Sequence, residues 1–268
     1  MAARVGPAIT RTVRFVNKIG VVELIIVGVA FVFYYLVRGM VVERTFEATS
    51  RAIRIVELEQ RLGLWVWESK MQAWVMSSDV LAHLFNNIYV YAHFPLIIIV
   101  GLWLFFFHRQ RYVLLRNAFL ISGGIGLIIF NLLPTAPPRL LPWPLSDQVV
   151  DTMFAFSRVN YDMQPEAFMN HYAAMPSLHF GWNLLLGIGI IWTIRNFLGI
   201  AFGVVMPAAM FIAVVATGNH FIIDVVAGTV VALIGLGAAL LVQRYGGRLW
   251  RLILPNRIFK RLAQSPGV

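Results

Sequence analysis

Runs of apolar residues, each near the length of a membrane span, alternate with polar segments along this chain. Six such runs lie at about residues 20–38, 85–107, 113–133, 178–194, 197–217 and 220–242. A helix of about 20 apolar residues crosses the hydrocarbon core of a bilayer. The pattern therefore predicts an all-α fold, an integral membrane helical bundle with six transmembrane helices.

Residues 41–84 follow a different pattern. They mix charged residues with Trp65, Trp67 and Trp74 and with Ile, Val and Leu at helical spacing, and no single apolar run among them is long enough to span. Such a pattern predicts helices that lie on the membrane surface or cap the bundle. We therefore divide the chain into an N-terminal part (1–84), which holds a basic arm, the first transmembrane helix and interfacial amphipathic helices, a transmembrane core (85–243) and a basic cytoplasmic tail (244–268).

The composition agrees with a membrane protein. Apolar residues make up 59% of the chain and charged residues 13%, against about 45–50% and about 25% in soluble domains. The net charge of +10 does not indicate a nucleic-acid partner, because the basic residues collect at the ends of the predicted spans. The chain has no Cys, which excludes disulfides, thiolate ligands and a cysteine nucleophile.

The positions of Lys and Arg predict the orientation. If the N-terminus is cytoplasmic, the basic arm, the turn at 108–116, Arg195 and the tail all lie inside, and together they hold most of the Lys and Arg residues. An excess of these residues marks cytoplasmic segments. We therefore expect both termini in the cytoplasm, the long loop 134–176 outside, and a bacterial plasma membrane as the location.

Two polar stretches open the fourth and sixth apolar runs. They are Tyr172-Ala-Ala-Met-Pro-Ser-Leu-His179 and Gly218-Asn-His-Phe-Ile-Ile-Asp224. Pro176 suits the first turn of a helix, which leaves the N–H groups of Ser177, Leu178 and His179 without partners inside that helix. Unpaired N–H donors at a helix start bind anions, phosphate included.

The second stretch adds a histidine with an acidic neighbour. His220 and Asp224 are four residues apart, and residues at this spacing share a helical face. A carboxylate beside an imidazole fixes the tautomer and leaves the other ring nitrogen available for chemistry. The predicted topology brings Arg139 and His179 to the same external surface. Two histidines beside an anion site are the equipment of a phosphoryl-transfer site.

Three motifs resemble those of the type 2 phosphatidic acid phosphatase superfamily, which are K-x6-R-P, P-S-G-H and S-R-x5-H-x3-D. Pro176-Ser-Leu-His179 is similar to the second, with Leu178 in place of Gly, and His220-Phe-Ile-Ile-Asp224 to the end of the third. Pro137-Pro-Arg139 resembles the first motif in the branch that includes the inositol phosphorylceramide synthases and their bacterial relatives. The Tyr-x-x-x-His of Tyr89–His93 resembles that branch as well.

The resemblance implies roles for these residues. His220, oriented by Asp224, would be the nucleophile, and His179 would protonate the leaving group and then activate the acceptor. Arg139, Ser177, Leu178 and Asn219 would bind the phosphate. The resemblance implies no metal or other cofactor, and no carboxylate cluster at ligand spacing lines the predicted external surface.

Two cations of the family motifs have no equivalent in this sequence. The position six or seven before Arg139 holds Leu, and the Ser-Arg of the third motif falls on Ala213-Val214. The candidates to replace them are Asn219, Asn170, His171, Tyr172 and Lys70. His93, which lies within the second apolar run, is a separate candidate for the site.

We expect a membrane phosphatase that hydrolyses a lipid phosphate, a phosphomonoester or a pyrophosphate, at the extracytoplasmic face through a phosphohistidine. The alternative is a phosphotransferase that moves a phospho-headgroup such as inositol phosphate to a lipid or glycan hydroxyl. A lipid transporter or flippase is disfavoured, because transporters tend to carry repeats and polar residues at the bilayer midplane. The sequence identifies neither the lipid nor the oligomeric state.

Overall fold

The computed structural model describes residues 20–30, 32, 44–156 and 172–253, with side chains up to residue 246. Ten helices lie in these residues: α1 (Gly20–Ala30), α2 (Thr45–Leu62), α3 (Leu64–Met76), α4 (Asp79–Tyr91), α5 (Phe94–Phe107), α6 (Arg109–Leu132), α7 (Thr152–Phe156), α8 (Leu178–Thr193), α9 (Phe197–Ala216) and α10 (Ile222–Ile253). Two 3₁₀ turns, Pro138–Leu140 and Leu145–Gln148, lie between α6 and α7. The described chain is therefore helical, as predicted.

Three of the described helices are long and apolar enough to cross a membrane. They are α6, α9 and the Ile222–Gly246 part of α10, and the bent pair of α4 and α5 gives a fourth if it counts as one span. The apolar helices α1 and α8 are shorter. The fold is thus compatible with an integral membrane protein, and the length and composition of the described helices support three or four of the six predicted spans.

The predicted second span, 85–107, is not one helix. It is broken after Tyr91, where α4 and α5 meet at an angle of 51°. Pro95, in the first turn of α5, has no N–H to donate to the carbonyl of Tyr91, and its ring would clash with that carbonyl in a continuous helix. His93 lies at this break, as the residue that precedes α5.

The chain divides into two units, residues 1–35 with 241–268 and residues 36–240. Of the first unit, the structure describes α1 and the end of α10. The second unit holds α2 to α9 with the first part of α10, and the predicted site residues that the structure describes lie in it.

Helices α2 and α3 pack at the end of the second unit that holds the start of α10. They are joined at Gly63, whose φ of 72° ends α2 in the left-handed conformation that glycine adopts without strain. Their buried side chains, Val56 and Trp65 among them, pack with Leu141 of the 134–151 loop and with Phe221 just before α10. The predicted amphipathic segment is therefore a cover over the start of α10.

Two buried amides fix the loop that carries Arg139. Gln72 on α3 donates from Nε2 to the carbonyls of Val150 and Ala216, both at 2.9 Å, and its Oε1 accepts the Val150 N–H at 2.9 Å. Asn86 on α4 pairs with Thr152 through two hydrogen bonds of 2.9 and 2.8 Å. Because these amides are buried, each unmade bond would cost about 1–3 kcal/mol, so the loop is held in one position.

The two helices that carry the histidines approach each other closely. A Cβ placed on Gly181 of α8 would lie 2.6 Å from the carbonyl oxygen of Gly228 on α10, and a Cβ on Gly228 would lie 2.2 Å from the carbonyl oxygen of Ser177. Only glycine permits such a backbone approach. The contact fixes the start of α8 against the first turns of α10.

Candidate active site

The predicted phosphate cradle begins one residue later than the sequence indicated. Ser177 is the N-cap of α8, with extended φ and ψ of −71° and 93°, and its Oγ accepts the Phe180 N–H at 3.4 Å. Pro176 therefore precedes the helix and is not part of its first turn, which corrects the prediction. The Ser177 N–H is also taken, because it donates to the carbonyl of Asp224 at 2.9 Å. Leu178 and His179 remain as the residues whose N–H groups have no acceptor within α8.

His220 lies in the turn before α10, two residues ahead of Ile222. Its Nδ1 is 2.8 Å from the carbonyl oxygen of Ala174 and 3.6 Å from Oδ2 of Asp224. A carbonyl oxygen only accepts hydrogen bonds, so Nδ1 must carry the proton and Nε2 the lone pair. The sequence attributed the tautomer of His220 to Asp224. In the structure the closer partner of Nδ1 is the carbonyl of Ala174, and Asp224 is the more distant partner.

Asp224 ties the two helix starts together. It is fully buried, and its Oδ2 accepts the Phe221 N–H at 3.0 Å, while its backbone carbonyl accepts the Ser177 N–H. A carboxylate in this position favours the proton on Nδ1 of His220 and holds the turn that carries the imidazole. Its predicted partner, His220, is confirmed at 3.6 Å.

His179 is enclosed by aromatic rings. Its imidazole stacks on Tyr89, with centroids 4.6 Å apart and planes at 16°, and lies 4.1 Å from the ring of His93. His93 in turn stacks on Trp182 at 5.6 Å. The rings of His179 and His220 are 5.8 Å apart. The structure thus brings three of the sequence's histidines together, because the break after Tyr91 places His93 against α8.

Arg139 is held beside the turn that precedes His220. Its N–H donates to the carbonyl of Gly218 at 2.9 Å, its Nε donates to Oδ1 of Asn219 at 3.0 Å, and its Nη1 lies 3.6 Å from Oδ2 of Asp151. Gly218 has a φ of 72°, so glycine is favoured where the loop meets this turn. Asn219 also donates to Thr217 at 2.8 Å, and both ends of its amide therefore serve to orient the guanidinium.

The remaining candidates fall in other places. Lys70 is exposed, with its ammonium 5.4 Å from the centre of the Trp67 ring. The hydroxyl of Tyr172 is 2.8 Å from that of Thr45, on α2. Asn170 and His171 lie outside the described residues.

A comparison with protein families shows to which family the chain belongs. The family model described as PAP2 superfamily matches residues 53–238, which is more than half of the chain. The chain belongs to the PAP2 superfamily. Searches among curated proteins and among solved structures gave no match.

The family comprises phosphatases and phosphotransferases in general, so membership places this chain with phosphoryl-transfer proteins. The matched segment begins in α2 and ends in α10, and it contains His179, His220, Asp224 and Arg139. It also contains α3 and the second half of α2. The closer likeness to inositol phosphorylceramide synthases stays a prediction.

Three acidic residues of this PAP2 chain were not predicted at the site. Asp151 faces Arg139. Glu59 and Glu68, at 0% and 7% exposure, lie on α2 and α3 and reach the first turn of α10. The sequence did contain a signal for Glu59 and Glu68. Each is an acidic residue at a position of an amphipathic segment where the helical pattern predicts an apolar residue.

The geometry suits in-line phosphoryl transfer. The imidazole of His220 presents a lone pair on Nε2, and the centroid of the His179 ring is 5.8 Å from the centroid of the His220 ring. The guanidinium of Arg139 is hydrogen-bonded to Asn219, the residue before His220, and the start of α8 is hydrogen-bonded to Asp224. Among the described residues, no group of three His, Asp or Glu side chains is arranged to hold a metal ion.

Proposed function

We propose that this protein hydrolyses a lipid phosphate, a phosphomonoester or a pyrophosphate, through a phosphohistidine on His220. The observation that carries the proposal is the 2.8 Å hydrogen bond from His220 Nδ1 to the carbonyl of Ala174. It commits the imidazole to the tautomer whose Nε2 can attack phosphorus. Family membership supports this class of chemistry.

In the first step, Nε2 of His220 attacks phosphorus while the bond from phosphorus to the leaving oxygen breaks. His179 gives its proton to that oxygen, so the lipid departs as an alcohol, or as a monophosphate if the substrate is a pyrophosphate. Arg139 and the N–H groups that begin α8 hold the phosphoryl oxygens. General acid help of this kind contributes roughly 10²–10⁴-fold.

In the second step, His179 takes a proton from water as the water oxygen attacks phosphorus. The bond between phosphorus and Nε2 then breaks and phosphate leaves, which restores both histidines. Dividing the transfer into two displacements replaces one difficult step with two easier ones.

The runner-up is transfer of the phospho-group to an alcohol in place of water. It is favoured by the burial of the site, because His220 and Ser177 are 4% and 0% exposed. A site with little access to water gives a bound hydroxyl acceptor the advantage over hydrolysis.

The proposal extends to the class of substrate and to the side of the membrane. Apolar helices enclose the site, and an amphiphile with a phosphate head reaches such a site from the bilayer. We place six spans around it, with both termini in the cytoplasm, the chemistry at the extracytoplasmic face and the bacterial plasma membrane as the location.

A panel assay tests the proposal. Purified protein in detergent is incubated with phosphatidic acid, polyprenyl monophosphate and polyprenyl pyrophosphate, each with and without inositol or a glycan acceptor. Release of phosphate without an acceptor supports hydrolysis, and a new phosphodiester that needs the acceptor supports transfer. If the wild-type protein gives neither product with any lipid, the proposed function is wrong.

A further inference from the structure

Two buried glutamates hold the turn that carries His220. Glu59 on α2 and Glu68 on α3 are almost fully buried. A carboxyl group at such depth requires hydrogen-bond partners, because burying it unpaired is costly. Both side chains find these partners at the start of α10.

Three consecutive N–H groups after His220 each bind a carboxyl oxygen. The Phe221 N–H donates to Asp224 Oδ2 at 3.0 Å. The next two N–H groups, of Ile222 and Ile223, donate to Oε1 of Glu68 at 2.5 Å and to Oε1 of Glu59 at 2.9 Å. A helix start favours such negative partners, so α10 is anchored to α2 and α3 immediately after His220.

The two carboxyl groups bind adjacent N–H groups of α10 and therefore lie side by side. Two buried carboxylates at close range repel each other, so the pair favours holding one proton. The second oxygen of Glu59 is buried and has no hydrogen-bond partner among the described residues, so it is the oxygen to which a protonated Glu68 can donate. Burial and the neighbouring Glu59 raise the pKa of Glu68 to about 10, which places the proton on Glu68.

The surroundings of the pair are otherwise largely uncharged. The acidic neighbour of the Glu59–Glu68 pair on α10 is Asp224. A cavity beside Glu68 has room for about one water. Its other lining residues are uncharged side chains from α3, the 138–149 loop and α9: Trp65, Ser69, Gln72, Pro138, Gln148, Val149 and Val215.

We propose that Glu59 and Glu68 are positioning residues for His220. Through one shared proton they hold the first turn of α10, so that the His220 ring keeps its place against His179. The N–H groups that donate to the two glutamates both belong to α10, whereas the proposed phosphate-binding groups lie on the 134–151 loop and on α8. Loss of the glutamates should therefore lower kcat and leave KM nearly unchanged. The inference rests on the proposed function.

The test uses the full-length protein and the lipid phosphate that the panel assay identifies. Glu68→Leu removes the acceptor for the Ile222 N–H and should lower both kcat and the single-turnover rate of His220 phosphorylation roughly tenfold to a hundredfold. Glu68→Gln should restore most of the rate, because its amide accepts from Ile222 and donates to Glu59. Glu57→Leu, at an exposed position of α2, is the matched control and should behave as wild type.

Near-normal kcat in Glu68→Leu overturns the inference, as do equal losses in Glu68→Leu and Glu68→Gln. If Glu68→Leu does not fold, the pH profile of Glu68→Gln decides. At alkaline pH the wild-type pair loses its proton and the two carboxylates repel, so the kcat ratio of Glu68→Gln to wild type should rise. A ratio that stays flat as the pH rises through about 10, the pKa of Glu68, overturns the inference. An inactive wild-type protein would instead overturn the proposed function, before any variant is compared.

Discussion

Adding one methyl group at Gly228 should separate the two histidines. A Cβ at this position of α10 would lie 2.2 Å from the carbonyl oxygen of Ser177, whereas ordinary contacts begin at 3.4 Å. The atom in the way belongs to a backbone, which cannot rotate aside as a side chain can. Gly228→Ala therefore requires α8 and α10 to move apart by about 1.2 Å, the difference between these two distances.

The expected loss of kcat/KM in Gly228→Ala follows from the position of Gly228 beside the starts of α8 and α10. Ser177 caps the helix that carries His179, and Asp224, one turn before Gly228, contacts His220. A misplacement of about 1 Å in reacting groups costs roughly 10²-fold in rate. That is about 2.7 kcal/mol of transition-state stabilisation. We expect kcat/KM of Gly228→Ala to fall by about this factor.

The assay is steady-state phosphate release by purified Gly228→Ala, with the unfolding temperature measured in the same detergent. Gly237→Ala is the matched control on the same helix, because a Cβ there meets nothing within 4 Å. It should keep full activity and gain up to about 1 kcal/mol of helix stability. A folded Gly228→Ala protein with wild-type kcat/KM would refute the reasoning.

Three further predictions concern binding, stability and topology. Arg139→Lys should lower kcat/KM by about two orders of magnitude, because Lys cannot grip two phosphate oxygens as a guanidinium does, while Arg54→Lys at an exposed position should not; equal kinetics in the two variants would show that Arg139 does not bind phosphate. The pKa of Glu68 is raised from its ordinary 4.5 to about 10, so the folded protein keeps a proton that the unfolded chain releases, and the wild-type unfolding temperature should fall as pH rises from 5 towards 9. Glu68→Gln should reduce this slope, and an unchanged slope in thermal unfolding would contradict the assignment of the proton. A Cys introduced at Ser146 should react with an impermeant maleimide in intact cells and one at Gln110 only after lysis; the reverse pattern would place the site in the cytoplasm.

The sequence predicted that His179 and His220 lie close together, and their ring centroids are 5.8 Å apart. Short motifs carried this prediction, because they placed both histidines near helix starts that the apolar run lengths and the Lys and Arg pattern assign to one predicted membrane surface. The sequence also predicted that Arg139 and Asn219 lie near each other, because both belong to polar segments on that predicted surface. Their bond depends on the φ of Gly218, a turn property that the residue type alone only suggests.

Other features depend on tertiary contacts that no local pattern encodes. The tautomer of His220 is set by a backbone carbonyl, that of Ala174, and any residue type supplies such a group. The partners of Glu59 and Glu68 are N–H groups more than 150 positions away. The break before His93 did have a local signal, Pro95, which the length of the apolar run concealed.

The most direct test of the account is covalent labelling of His220. Wild-type protein is mixed with a lipid carrying a labelled phosphate, quenched with base and digested, and the labelled peptide is identified by mass spectrometry. We expect an acid-labile, base-stable phosphate on His220 in the wild type and in His83→Ala, whose histidine is exposed on α4. His220→Ala should show neither label nor turnover. Full turnover by His220→Ala, or a label on any other residue, would contradict the central claim.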